Sequence, residues 1–302
     1  MIKPAVAIFA AAAAAAVALF APVPGSGQDG PKGKGKAGAK TDPVSAGAYG
    51  PYYSPPRIPG GPVKRLPDGH PDMQGYYATR FNQAIFDVED HPKPQRGVPP
   101  GKGAIVDPPD GRIPYKPEAR ARQQELAEGH MYEEPEAHCF QSGVPHSAYQ
   151  QFGFQVMQNS GYFVILFEYA HSYRIIPTDG RKHSVPPGTK LFMGDSVGRW
   201  EGDTLVIDTT NQNGRTWFDM VGNFTTENIH VTERITPVDS NTIKYEATVE
   251  DPTIYTRPWK IAGEWGRRPD ANYEQMEFAC IEGNEDLEHY IDTEGGKAKK
   301  GR

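Results

Sequence analysis

The chain has 302 residues, with 32 Lys and Arg against 38 Asp and Glu, a net charge of -6. No basic block runs through its centre, so nucleic acid is excluded as an expected partner. Its 33 Gly and 29 Pro break long helices and favour short strands joined by turns.

The N-terminus carries Lys3 and then an uninterrupted apolar run from Ala5 to Ala21. This is the pattern of a secretory signal peptide, assigned to residues 1–27. It predicts a periplasmic or secreted protein with no transmembrane segment in the mature chain. Residues 28–67 form a low-complexity Gly-, Lys- and Pro-rich arm with little expected secondary structure. Tyr49, Tyr52 and Tyr53 are candidate docking points, and residues 28–64 are the candidate contact with an envelope protein partner. A β-rich domain is expected over 68–292, followed by a flexible tail over 293–302.

In that domain "QGYYATRF" is the first candidate strand. A helix is predicted from Pro117 to Glu128, with Pro117 in the first turn and Gly129 ending it. Residues 153–158 are a further strand candidate. Tyr162 to Ile176 is apolar and β-branched throughout, so it is either one long central strand or a hairpin folding back near Ala170. A hairpin is predicted from Val197 to Thr210 around Gly202-Asp203. Ile229, Val231, Glu233 and Ile235 alternate with His230, Thr232, Arg234 and Thr236. The chain turns at Asp239-Ser240-Asn241 and alternates again from Ile243 to Glu250. Residues 273–281 are the last strand candidate. The fold class is mainly β, an antiparallel sheet or lipocalin-like barrel with one short helix and a long irregular N-terminal arm. Cys139 and Cys280 are most simply a disulfide in an exported protein.

The runs "DGHPDMQGYYA", "DPPDGRIPY", "HCFQSGVPHS", "GRWEGDTLVIDTT", "IHVTERIT" and "YTRPW" resemble a family of exported bacterial proteins of uncharacterised function. Ser184 and His146 depart from its pattern, where Pro and Arg are expected. The resemblance implies an exported β-rich domain and brings no catalytic residues. The short "MQGYYA" is similar to the Gly-x-Trp opening of lipocalin-like barrels, with Tyr76 in the Trp position, and implies a barrel with an internal pocket.

Site candidates follow from residue chemistry. On a continuous strand, His171 would share one face with Phe163, Tyr169 and Tyr173, and Glu168 and Arg174 would lie opposite; a hairpin at Ala170 would bring them together. Asp179, Arg181 and His183 alternate in a Pro- and Gly-flanked loop. Asp208 sits mid-strand where an apolar residue suits a simple sheet, and His230 lies on a polar strand face. His171, Glu168, His230 and Asp208 are therefore the catalytic candidates. Tyr169, Arg174, Arg199, Trp200, Trp217, Arg257 and Trp259 are the ligand-binding candidates, because Arg beside an aromatic ring suits an aromatic or carboxylate ligand. No zinc-type spacing, nucleotide loop or nucleophile elbow is present, so no metal and no cofactor are expected. The sequence predicts a small organic ligand, bound and transformed by cofactor-independent acid–base chemistry in a lyase, isomerase or hydrolase, or else a structural, partner-binding envelope protein without catalysis.

Overall fold

The computed structural model describes residues 54–93 and 100–285. The expected signal peptide, the tyrosines of the expected arm and the expected C-terminal tail lie outside these residues.

Ten strands follow in chain order: β1 (Gly75–Thr79), β2 (Ile105–Asp107), β3 (Phe154–Gln158), β4 (Tyr162–Phe167), β5 (Tyr173–Pro177), β6 (Asp195–Glu201), β7 (Thr204–Thr210), β8 (His230–Asp239), β9 (Thr242–Glu250) and β10 (Trp259–Arg267). Nine of them form one sheet in the order β5-β4-β3-β1-β10-β9-β8-β7-β6, and β2 pairs with β10 beyond the end of β1. Every pairing is antiparallel. The sheet curls into a nearly closed barrel, as the alternating pattern and turn spacing predict.

Alternation sets what faces inward. Leu205, Ile207, Val231, Ile235, Ile243, Tyr245, Val249, Ile261 and Trp265 are all buried in one core with Tyr77, Phe154, Phe163 and Ile165. The expected internal pocket is therefore occupied by the protein's own side chains. Of the two tyrosines at the start of β1, Tyr77 is the inward one and carries Arg267 over its ring at 4.8 Å. Tyr76, assigned to the Trp position from sequence, instead meets Tyr273 edge-on.

The β4–β5 segment is a hairpin rather than one long strand. Ala170 and His171 both adopt left-handed φ, 52° and 50°, as a two-residue turn between twisted strands requires. Pairing Ile165 with Arg174 and Leu166 with Tyr173 then puts Arg174 and Ile176 on the inward face. Tyr173 and Ile175 point out, the reverse of the continuous-strand expectation.

One end of the barrel is capped by α1 (Pro117–Gly129), by the short 3-10 turn His146–Tyr149 and by the loops around them. Trp265 Nε1 donates to the Ala148 carbonyl at 2.8 Å, and Tyr149 Oη donates to the Phe218 carbonyl at 2.8 Å. The predicted disulfide joins Cys139 to Cys280, with Cα atoms 5.5 Å apart. Residues 273–281 are not a strand. Glu168, buried between β4 and β5, accepts from the Gly153 and Met276 amides and from Tyr273 Oη, and this pins the segment as coil.

The opposite end carries the β6–β7 and β8–β9 turns. Residues 54–72 strap it without regular secondary structure apart from a bridge between Arg65 and Pro71. Gly61 donates to Ser240 Oγ, Arg65 forks onto both oxygens of Asp203 at 2.8 and 2.9 Å, and His70 stacks on Trp200 at 4.4 Å.

The two end strands, β5 and β6, meet without a backbone ladder. Eight antiparallel steps across nine strands leave them running in the same direction. Residues 178–194 return the chain along the barrel to make this possible. Across the seam Gly198 leaves room for Ile176 and Thr178: a Cβ there would lie 3.1–3.3 Å from Thr178, Leu205 and Ile176 methyls. Gly198→Val should pry the seam apart and cost about 1–3 kcal/mol. Urea unfolding monitored by tryptophan fluorescence checks this; an unchanged midpoint would show that the seam is not tightly packed.

Candidate functional site

The seam concentrates the polar chemistry of the barrel. Arg174 on β5 reaches inward and pairs with Glu233 on β8 through two bonds, 2.9 Å to Oε1 and 2.5 Å to Oε2. Its Nη2 also donates to Ser196 Oγ and Thr209 Oγ1, each at 3.1 Å, so one guanidinium ties β5 to β6, β7 and β8. Tyr245 Oη donates to Glu233 Oε1 at 2.8 Å. Burial, reinforced by the Glu233 charge, pushes the Tyr245 phenol well above its ordinary range, so it stays a donor. Both ionic side chains are nearly dry, at 3% and 0% exposure.

Outside this network the seam opens into a groove of about 610 Å³. Tyr173, Ile175, Leu191 and Phe192 supply its apolar walls, and Lys190, Asp195 and Arg215 its charges. Arg215 is exposed and lies over two rings, 4.9 Å from the Phe140 centroid and 5.5 Å from that of Phe192. No ion pair engages it among the described residues. Lys190 Nζ donates to the Glu227 carbonyl at 2.7 Å and likewise makes no ion pair among them.

A chain of alternating carboxylates and imidazoles leads away from the groove across the outer wall. Asp195 Oδ2 accepts the Ser184 and Val185 amides and lies 3.2 Å from His183 Nδ1. His183 Nε2 is 3.7 Å from Asp208 Oδ2. Asp208 Oδ1 is 2.5 Å from His230 Nε2, and His230 Nδ1 is 3.6 Å from Glu250 Oε2. Asp208 is hydrophilic because it faces outward beside Thr232, under the 178–194 loop. Two of the four catalytic candidates, Asp208 and His230, are thus brought together. His183 and Asp195 join them, although only the alternation in "DGRKH" hinted at His183. Among the described residues no group of three or more His, Cys, Asp or Glu is arranged to hold a metal ion.

The other candidates disperse. His171 is exposed in the β4–β5 turn, 3.0 Å from Glu277, and Glu168 is the buried clamp described above. The turn does not bring these two together as a pair. Tyr169 stacks on Phe152 and Phe278 beside the disulfide. Arg199 pairs with Glu201, and Trp200 lies on His70 at the strapped end. Trp217 is buried, with its carbonyl facing His146 Nδ1 at 2.9 Å. Arg257 forks onto Asp107, and Trp259 packs edge-on to Phe218 and Tyr255 in the core. Of the seven ligand-binding candidates only Arg174 lines the groove. Arg215 lies two residues before Trp217, the pairing that suggested a ligand site in the sequence, but the rings it covers are those of Phe140 and Phe192, far away in sequence.

A buried acidic cluster lies beneath α1. Asp219 accepts four bonds, from the Val88, Val221 and Asn223 amides and from Asn223 Nδ2. Burial first, and Asp87 beside it second, hold its carboxyl well above the usual range. Glu89 nearby is neutralised by Arg112 and Arg120.

No protein-family model, curated protein or solved structure matches this chain.

Two predictions follow from these clusters. Removing one partner of the dry pair, as in Glu233→Ala, should cost about 3–5 kcal/mol by stranding the Arg174 charge, whereas Arg174→Met with Glu233→Leu should be far milder. Urea titration of the two variants against the parent tests this, and equal losses would contradict it. For Asp219, the folded state holds its proton more tightly than the unfolded chain. Its stabilisation is complete below the unfolded Asp pKa and is lost as pH rises toward the folded value. Asp87→Asn removes the neighbouring charge, so melting temperature should fall less steeply between pH 4 and 7 than in the parent. Superimposable pH profiles would refute the coupling.

Proposed function

We propose that this protein binds a small organic molecule with an apolar body and an anionic group, held in the groove at the β5–β6 seam. The observation that carries this reading is Arg215, exposed and lying over two adjacent aromatic rings without an ion-pair partner among the described residues. A guanidinium oriented in this way is ready to fork onto a carboxylate or sulfonate. The groove volume of about 610 Å³ suits a ligand of ordinary cofactor size. Tyr173, Ile175, Leu191 and Phe192 supply the apolar contact. The packed core supports this surface site over the internal one expected from sequence.

Export is part of the same proposal. It is supported by the apolar run Ala5 to Ala21 and by the Cys139–Cys280 disulfide, which persists in oxidising compartments. No helix among the described residues is long and apolar enough to cross a membrane. The acid–base groups nearest the ligand are Asp195 at the groove wall and His183 behind it. Binding without a chemical step is the function assigned.

Anilinonaphthalene sulfonate, an aromatic anion, is a direct probe of the groove. It should bind saturably, and Arg215→Gln should weaken it roughly ten- to a hundredfold, the range for losing a charge-assisted hydrogen bond. Arg257→Gln, on the far side and paired with Asp107, serves as the control. Fluorescence titrations that show equal affinities for both variants and the parent would overturn the assignment.

A further inference from the structure

The outer wall of the barrel has two unlike halves. On β7, β8 and β9 the outward residues include Asp208, His230, Thr232, Arg234, Lys244, Glu246 and Glu250, a polar face that water can cover. On β3, β4 and β5 the outward positions are apolar except Gln155, which lies beside Leu166. Register places Met157 beside Val164, Val164 beside Ile175, and Leu166 beside Tyr173. Tyr173 is 58% exposed, Ile175 56% and Met157 47%. Adjacent strands lie about 4.8 Å apart, so Met157, Val164 and Ile175 make an unbroken apolar row roughly 10 Å long. Such continuity is unusual on a water-facing sheet, where isolated apolar residues are normal and contiguous patches mark binding.

This row is continuous with the groove. Tyr173 and Ile175 belong to both, being the outward residues of β5 and the groove wall at once. At the other side of the groove stand Lys190 and Arg215. Charge and apolar surface are therefore arranged end to end: cations first, then the groove wall, then the row across β4 to β3. A compact aromatic acid would fill the groove and leave the row bare. A molecule with an anionic head and an extended alkyl chain would cover both.

We infer that the ligand of the seam groove is a single-chain anionic amphiphile, such as a medium- or long-chain carboxylate, with its head at Arg215 and Lys190 and its tail along Tyr173, Ile175, Val164 and Met157. This inference rests on the groove being the binding site. It adds the class of ligand and the direction in which the tail runs.

The test is displacement of anilinonaphthalene sulfonate from the intact protein by straight-chain carboxylates of six to twelve carbons, each below its micellar concentration. Benzoate and dodecanol are run beside them. Each methylene buried in full tightens binding about fourfold, so a chain lying on an open surface should gain roughly twofold per methylene. Dodecanol, lacking the charge, should bind more weakly than the twelve-carbon acid. Met157→Ser, at the far end of the row and outside the groove wall, should flatten the chain-length dependence among the longer acids while leaving the six-carbon acid nearly unchanged. Met157 is surface-exposed, and circular dichroism confirms that the fold is retained.

Equal displacement by benzoate and the twelve-carbon acid, with no chain-length slope, would overturn the amphiphile while the groove remained the binding site. No displacement by any compound, together with Arg215→Gln binding the probe normally, would remove the groove reading as well. Binding to anionic phospholipid vesicles without binding monomeric carboxylates would overturn the inference in favour of a membrane surface.

Discussion

An antiparallel sheet of nine strands cannot close on itself by repeating its own ladder. Each step reverses direction, so after eight steps the last strand points the same way as the first. Here those strands are β5 and β6, and most of what is distinctive in the molecule sits at their junction. The edges must be held by side chains, and the chain must be carried from the far end of β5 back to the start of β6. Residues 178–194 do the latter and cover part of the outer wall on the way. His183 comes to face Asp195 and Asp208 only because of this return path.

The side-chain fastening is ionic rather than apolar. A guanidinium and a carboxylate taken out of water cost several kcal/mol each, and a well-packed apolar pair would serve stability at least as well. What the ion pair adds is reach and direction. Arg174 contacts residues on three other strands, and Glu233 spends its oxygens on Arg174 and Tyr245. Such a node is satisfied only when β5 is correctly placed against β6, β7 and β8. It fixes the seam in one register, and the groove inherits its shape from that register.

The hairpins β6–β7 and β8–β9 were readable in the sequence, because strict alternation and polar turns leave little choice of face. The helix from Pro117 was readable for a similar reason, since its start and stop are local. The β4–β5 hairpin was not resolved by local pattern, as apolar residues occupy both faces of β4. Its outer face is apolar, so the alternation that elsewhere separates inside from outside is missing. The two-residue turn at Ala170-His171 then decides everything downstream: it pairs odd positions of β4 with even positions of β5, which sends Arg174 inward and Ile175 outward. Asp208 could be singled out as misplaced for a plain strand, and its partner His230 as polar, but their meeting depends on the offset between β7 and β8. Arg215 and its two rings come from three separate loops, and no spacing in the sequence announces them. Residues 273–281 have strand-like composition, yet the buried Glu168 recruits their amide and phenol donors before any neighbour strand can.

The strap over residues 54–72 has a mechanical consequence. It grips the barrel through Arg65 on Asp203, Gly61 on Ser240 and His70 on Trp200, all at the end bearing the β6–β7 and β8–β9 turns. Tension arriving from the N-terminal side is therefore delivered first to those turns and, through Trp200, to β6, one strand of the seam. Tyr173, Arg174, Asp195 and Ser196 lie toward the opposite end of their strands, so the groove is the part of the seam farthest from that load.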